Sequence, residues 1–337
     1  MLQASPLSSV VQYTASDHIL VLNSAADPFV SELLQQPRQG SLTLAEDSVA
    51  SLATLPAPAG PLQTVAFHDY MPQHPPQTMD IALLNLLYQP SKSWMNYAVQ
   101  VAFYALRADG RLYVVGSKDR GILSFAKYMH MQFSNVETLL ITKGQRVLCA
   151  RKPAQAVYVA FQPVTLPVFA DSKLDDGTRL LLSALEVHET DRALDLGCGA
   201  GFLGLQIARM ATRGHVTMVD ASLAAVDASG QAVERSGLSN IHVLPSDGAQ
   251  AVLGQRFDLV VTNPPFHLGG IQTTEVAQRF ILQAAQVLQP QGRFYLVANR
   301  FLKYEPTLRL YFKNVVEVAG DARYKVLLAT SPLAPKS

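Results

Sequence analysis

The strongest constraint on how this chain folds is that it is written twice. Residues 105–120, ALRADGRLYVVGSKDR, resemble residues 287–300, VLQPQGRFYLVANR: each runs from an apolar helix end through a glycine turn into an alternating strand. MDIALLNLLY (79–88) aligns with FDLVVTNPPF (257–266), HILVLNSAADPF with RALDLGCGAGF, SLTLAEDS with HVTMVDAS, and VETLLITKGQRVLCA with VEVAGDARYKVLLAT. The matches keep their order at offsets of about 173 to 182 residues, which local propensity alone does not produce. A tandem duplication of one α/β unit is expected, and 337 residues, 49% of them apolar, suffice for two cores. Short apolar strands at 193–196, 216–219 and 259–262 alternate with helical stretches, of which 273–288 has the helical period. Arg151, Lys152 and Pro153 mark a linker, giving domains 1–152 and 153–337.

No run of eighteen apolar residues is free of charge, and the N-terminus lacks a basic segment followed by an apolar stretch and cleavage site. A cytoplasmic protein without a membrane partner is expected. Cys149 and Cys198 are isolated from one another and from any CxxC pattern, so neither a disulfide framework nor a metal site is expected. The net charge of +1 exerts no global pull on nucleic acid. Residues 291–337 nevertheless hold eight basic side chains against three acidic ones, which reads equally as a solvated rim or a local basic patch.

In the second copy, a strand ending at Asp195 and Leu196 runs into GCGAGFLG and an apolar helix. Gly197, Gly199 and Gly201 let a ligand approach the backbone, and the helix N-terminus offers free N–H groups. Asp220 ends the next strand, where a carboxylate can accept from both ribose hydroxyls of a nucleoside, and Asp247 follows the strand after that, on the adenine side. Gly199, Gly201 and Gly204 also satisfy the spacing of dinucleotide enzymes, so the loop does not choose its cofactor.

The tetrad Asn263, Pro264, Pro265, Phe266 carries the chemistry. Two prolines fix φ and remove two N–H donors, leaving carbonyls unpaired. The Asn263 side-chain oxygen and the Pro264 carbonyl can both accept from one planar NH₂ group, while Phe266 offers a face for a base.

DLGCGAG with Asp220, Asp247 and NPPF resembles the class I methyltransferases that modify amino nitrogens. VFADSKLDDGTRLLLSAL (168–185) is similar to the segment preceding the glycine loop in the bacterial ribosomal RNA guanine-N2 methyltransferases, the RsmC-like family. The small-subunit branch matches at Phe169, Leu174, Asp175 and Gly177, although ADSK stands where the family often has a Ser-Arg pair. The resemblance implies two tandem Rossmann-like methyltransferase domains, the first degenerate and serving as scaffold or RNA contact. It places S-adenosylmethionine over Asp195, Gly197, Gly199, Gly201, Asp220, Asp247, Asn263, Phe169 and Gly177, with Asn263, Pro264 and Phe266 catalytic. In the first copy Ser24, Ala26 and Pro28 stand where Gly197, Gly199 and Gly201 stand, and Leu86 and Leu87 replace the prolines; Asn85 and Asp47 remain at aligned positions.

The expected reaction moves a methyl group to the exocyclic N2 of a guanine in 16S ribosomal RNA, with the RNA or the small subunit as partner and a monomeric enzyme. Positioning supplies most of the rate, and Asn263→Asp is expected to fall between wild type and Asn263→Ala. A 23S rRNA guanine-N2, an adenine-N6 or a protein glutamine methyltransferase would present the same planar amine. A nicotinamide dehydrogenase would leave NPPF without a role, and a non-enzymatic RNA-binding assembly factor would not need one intact copy.

Overall fold

The structure is a computed structural model that describes residues 4–155, 166–167, 174–265, 267–268, 271–272 and 274–333. The chain divides into two compact units, Met1–Pro167 and Val168–Ser337. Lys152 is fastened into the first unit, its Nζ donating to the Phe103 and Leu106 carbonyls at 2.6 and 2.7 Å.

The first unit carries β1 (Ile19–Leu22), β2 (Leu42–Glu46), β3 (Leu62–Ala66), β4 (Met79–Asn85), β5 (Leu106–Ser117), β6 (Glu137–Thr142) and β7 (Gln145–Arg151). The second carries β8 (Arg192–Leu196), β9 (His215–Asp220), β10 (Ile241–Pro245), β11 (Phe257–Thr262), a hairpin of β12 (His267–Leu268) and β13 (Ile271–Gln272), then β14 (Leu288–Asn299), β15 (Phe312–Gly320) and β16 (Tyr324–Pro332). The two seven-stranded sheets have orders β3-β2-β1-β4-β5-β7-β6 and β10-β9-β8-β11-β14-β16-β15. Shifting the first order along the chain reproduces the second, so the repeat in the sequence is a repeat of topology. In each sheet five strands are parallel, and the last two add antiparallel.

Parallel strands buried on both faces read as near-continuous apolar runs, and β4 is buried at every position. Pleating sends alternate side chains to opposite faces. Leu194, Leu196, Val260, Phe294 and Leu296 meet Ala277, Phe280, Ile281, Ala284 and Val287 of the helix Glu275–Val287 on one face. Ala193, Val216, Met218, Leu259, Val261 and Tyr295 meet Leu181, Leu203, Ile207 and Ala208 on the other. Strand order reverses between β8 and β11, and helices leave these strands toward opposite faces. The carboxyl ends of β8 and β11 therefore border a crevice, the usual ligand position in open α/β sheets. Among the described residues, no helix is long and apolar enough to cross a membrane.

Candidate active site

Four neighbouring strands bring the expected residues into one row. Asp247 lies beyond β10, Asp220 ends β9, the glycine loop follows β8, and Asn263 follows β11. Three strand spacings of about 4.8 Å make this row roughly 14 Å long, the span of an extended nucleoside with a tail. Gly197, Gly199 and Gly201 have φ of 79°, 54° and 83°, which L side chains adopt at a cost. The loop leads into the helix Phe202–Met210, whose N-cap has no side-chain hydrogen bond; Asp195 takes the Gly204 N–H, and the first two N–H groups remain for a ligand. Asp220 braces the loop: Oδ2 accepts from the Gly199 N–H and Oδ1 from the Ser222 N–H, both at 2.9 Å. Each oxygen keeps a lone pair for a hydroxyl donor.

Asp195 lies beneath the loop, with Oδ2 accepting from the Gly204 N–H at 2.9 Å and Oδ1 without a hydrogen-bond partner among the described residues. Burial, only partly offset by that N–H and reinforced by Asp220, pushes its carboxyl up to about 7. Burial also raises Asp220. Cys198 is buried and its thiol is raised well above its ordinary value, so it packs rather than reacts.

The raised Asp195 carboxyl has a consequence for stability. The native state holds this proton between about pH 4 and 7, where the unfolded chain has released it. The contribution is complete below pH 4 and is lost as pH rises through about 7. Asp195→Asn should therefore gain stability relative to wild type between pH 5 and pH 8, measured by urea midpoints of the ligand-free proteins. An equal difference at both pH values would contradict the assignment.

Asn263 is held from one end. Its Nδ2 donates to Thr178 Oγ1 at 2.9 Å and to both oxygens of Asp175 at 3.3 Å, so Oδ1 must face away from them. Asp175 is itself fixed, capping the helix Asp176–Ala184 through the Gly177 and Thr178 N–H groups. Gly177 is buried with its N–H already used; a Cβ there would crowd the Tyr324 ring at 3.3 Å. Among the described residues no donor reaches Asn263 Oδ1 or the Pro264 carbonyl. Phe169 and Phe266 lie outside the described residues.

The first unit shows what closes such a site. Asn85, the counterpart of Asn263, has both ends of its amide engaged: Oδ1 accepts from the Leu87 N–H at 2.9 Å and Nδ2 donates to Asp27 at 2.7 Å. Leu87 aligns with Pro265, which has no N–H, so the second proline removes the internal donor that captures Asn85. Arg120 donates to the Leu86, Leu87 and Gln89 carbonyls, occupying the acceptors that the prolines leave open in the second unit. Gln89, fully buried, bonds to the Asn23 and Asn85 carbonyls.

The structure also corrects the register of the degenerate loop by one residue. Ala25, not Ala26, stands for Gly199, because its N–H donates to Glu46 as that of Gly199 donates to Asp220. Asn23, with φ of 44°, and Asp27 then replace Gly197 and Gly201. The carboxylate matching Asp220 is accordingly Glu46, not Asp47. It accepts from the Ala25, Asp47 and Ser48 N–H groups, and burial pushes it up to about 7.

Thr178, Arg279 and Gln283 were not anticipated. Arg279 pairs with Asp247 at 2.6 Å, and Gln283 Oε1 accepts from the Ala249 N–H at 3.0 Å, so one helix holds the loop after β10. A signal existed for Gln283: it is a polar residue inside the apolar stripe of Phe280, Ile281, Ala284 and Val287. Half of the eight basic side chains in 291–337 are paired with acids among the described residues. Arg293 pairs with Asp191, Arg300 with Glu317, Arg323 with Asp176 and Lys325 with Glu305. Among the described residues no cluster of three His, Cys, Asp or Glu could hold a metal.

Residues 164–328 match the methyltransferase small domain family, and residues 11–140 match the methyltransferase small domain N-terminal family. A ribosomal RNA small subunit methyltransferase C of Shewanella amazonensis is 32% identical over 253 residues, 70% of this chain and 73% of its own. Its counterpart in Shewanella sp. (strain MR-4) is 30% identical over 334 residues, 94% of this chain and 95% of its own. A solved structure of the T. thermophilus 16S rRNA N2 methyltransferase (RsmC) in complex with AdoMet and guanosine is 30% identical. It covers 96% of this chain and 90% of its own, with a TM-score of 0.82. Two tandem Rossmann-like methyltransferase domains are thus the architecture of this chain. With identity at this level running through both halves, the chain belongs to the ribosomal RNA small subunit methyltransferase C family.

Proposed function

We propose that this chain transfers a methyl group from S-adenosylmethionine to the exocyclic N2 of a guanine in 16S ribosomal RNA. The observation that carries this reading is the one-ended Asn263 amide: its NH₂ is spent on Asp175 and Thr178, which leaves an acceptor for an incoming amine. The T. thermophilus relative, solved with AdoMet and guanosine, supplies the substrate class. S-adenosylmethionine brings an electrophilic methyl group on a sulfonium. Asp220 and Asp247 would hold its nucleoside, and the glycine loop, braced from beneath by Asp195, would approach its tail. Asn263 Oδ1 and the Pro264 carbonyl orient the guanine amine and draw its lone pair out of conjugation. A neutral amide cannot act as a strong base, and none is required because the nitrogen becomes acidic once methylated. Phe266 would stack the base.

In this reading residues 153–337 form the catalytic domain of a cytoplasmic enzyme working as a monomer on ribosomal RNA or the small subunit, and residues 1–152 form a scaffold or RNA contact. Nucleoside mass spectrometry of 16S rRNA from cells with and without the gene tests it. One N2-methylguanosine should disappear with the gene, and an unchanged profile would refute the reading. Calorimetry on the full chain should give one S-adenosylmethionine per chain, because Asn23, Ala25 and Asp27 replace the loop glycines and the Leu87 N–H, Gln89 and Arg120 engage the groups left open in the second unit; a stoichiometry of two would reverse that conclusion.

A further inference from the structure

Phe301 is the one exposed aromatic side chain among the described residues, at 63% exposure. Other Phe, Tyr and Trp rings among them are buried or half-buried, so its position needs a cause. It lies just beyond the carboxyl end of β14, which pairs in parallel with β11 through Leu296 and Thr262. Asn263 follows Thr262 directly. Phe301 is therefore one strand over from the amine acceptor and beyond it along the strand direction, on the side away from the glycine loop.

The loop presents this ring rigidly. Leu302 and Tyr304, at 6% and 2% exposure, anchor it in the core, and the Leu302 N–H donates to the Asn299 carbonyl at 2.9 Å. Alternation then turns Phe301 and Lys303 outward together. Lys303 makes no ion pair among the described residues, whereas Arg300, Arg323 and Lys325 nearby are consumed in pairs. An exposed ring beside an unneutralised cation suits single-stranded RNA, where bases stack on aromatic faces and phosphates meet lysine.

We propose that Phe301 and Lys303 form a subsite for the RNA flanking the target guanine, Phe301 stacking a neighbouring base and Lys303 meeting a phosphate. This rests on the rRNA reading above. The test measures methylation kinetics on small subunits and on protein-free 16S rRNA, with the S-adenosylmethionine dissociation constant measured in parallel. Phe301→Ala should raise KM for RNA by roughly tenfold or more, the loss falling on KM rather than kcat, and Phe301→Trp should restore it. Lys303→Ala should flatten the dependence of log KM on log salt by about 0.7. A KM within twofold of wild type for Phe301→Ala, or no recovery in Phe301→Trp, overturns the subsite. A loss seen only on assembled subunits, where protein-free rRNA is also methylated, would mean that a ribosomal protein covers Phe301 and also overturns it. Wild type that binds S-adenosylmethionine yet methylates neither substrate refutes the rRNA reading itself, and the subsite falls with it.

Discussion

Asn263→Ala should lower the single-turnover rate of methyl transfer by about a hundredfold or more while leaving S-adenosylmethionine affinity within about twofold of wild type. The separation follows from the fold: the glycine loop and Asp220 belong to β8 and β9, whereas Asn263 follows β11. Losing one of two acceptors that orient a nucleophile costs on the order of 2 to 4 kcal/mol at the transition state, by analogy with one oxyanion-hole donor. The hydrogen bonds change the expectation for Asn263→Asp. Sequence reasoning puts it between wild type and alanine, since aspartate still accepts hydrogen bonds. In the structure that aspartate would stand 3.3 Å from the Asp175 carboxylate, in place of the amide that now donates to it. Two carboxylates so close repel, and at pH 8, where a shared proton that would mimic the amide is least available, the new carboxylate turns away and the acceptor is lost. Asn263→Asp should therefore be as impaired as alanine at pH 8. The double variant Asp175→Asn/Asn263→Asp, which returns a donor opposite the carboxylate, should recover part of the activity. Wild-type rates in Asn263→Ala would end the proposed mechanism. Failure of the double variant to exceed Asn263→Asp would remove Asp175 from its positioning role.

Asp220→Ala should weaken S-adenosylmethionine binding by about 1.5 to 3 kcal/mol, a factor of roughly 10 to 150. Two losses combine in it. One is the acceptor for the ribose hydroxyls, and the other is the brace on Gly199 and Ser222. Hydrogen exchange separates them, because faster exchange of the Gly199 amide in the ligand-free variant reports the brace alone. If affinity falls without faster exchange, the hydroxyl role dominates. An unchanged dissociation constant would take Asp220 out of the site.

Sequence alone resolved the parts of the molecule that are local. The glycine loop, the strand before it and the tetrad each lie within a few residues, and the duplication multiplied the pattern, so two α/β domains were readable from order and spacing. What escaped was contact across long separations. Thr178 meets Asn263 across 85 residues and Gln283 meets Ala249 across 34; periodicity marks Gln283 as polar on an apolar stripe but names neither partner. The degenerate loop was misplaced by one residue because without its glycines it has no internal marker of register; only the Glu46 hydrogen bonds set it. The basic stretch near the C-terminus stayed undecided between rim and patch, since charge counts do not show that Arg293, Arg300, Arg323 and Lys325 already have partners.

The capture of the first unit's free carbonyls by Gln89 and Arg120 bears on how the chain responds to metabolic supply. A pocket that binds its ligand only when folded gains stability with ligand concentration, as RT ln(1 + [L]/Kd). The second unit, open at its loop and at Asn263, is coupled in this way to the abundance of methyl donor. In the proposed reading the first, whose acceptors are taken by its own donors, is insulated from it. On that reading, scarcity of donor withdraws stabilisation from the second unit and leaves the first unit's own stability as it was.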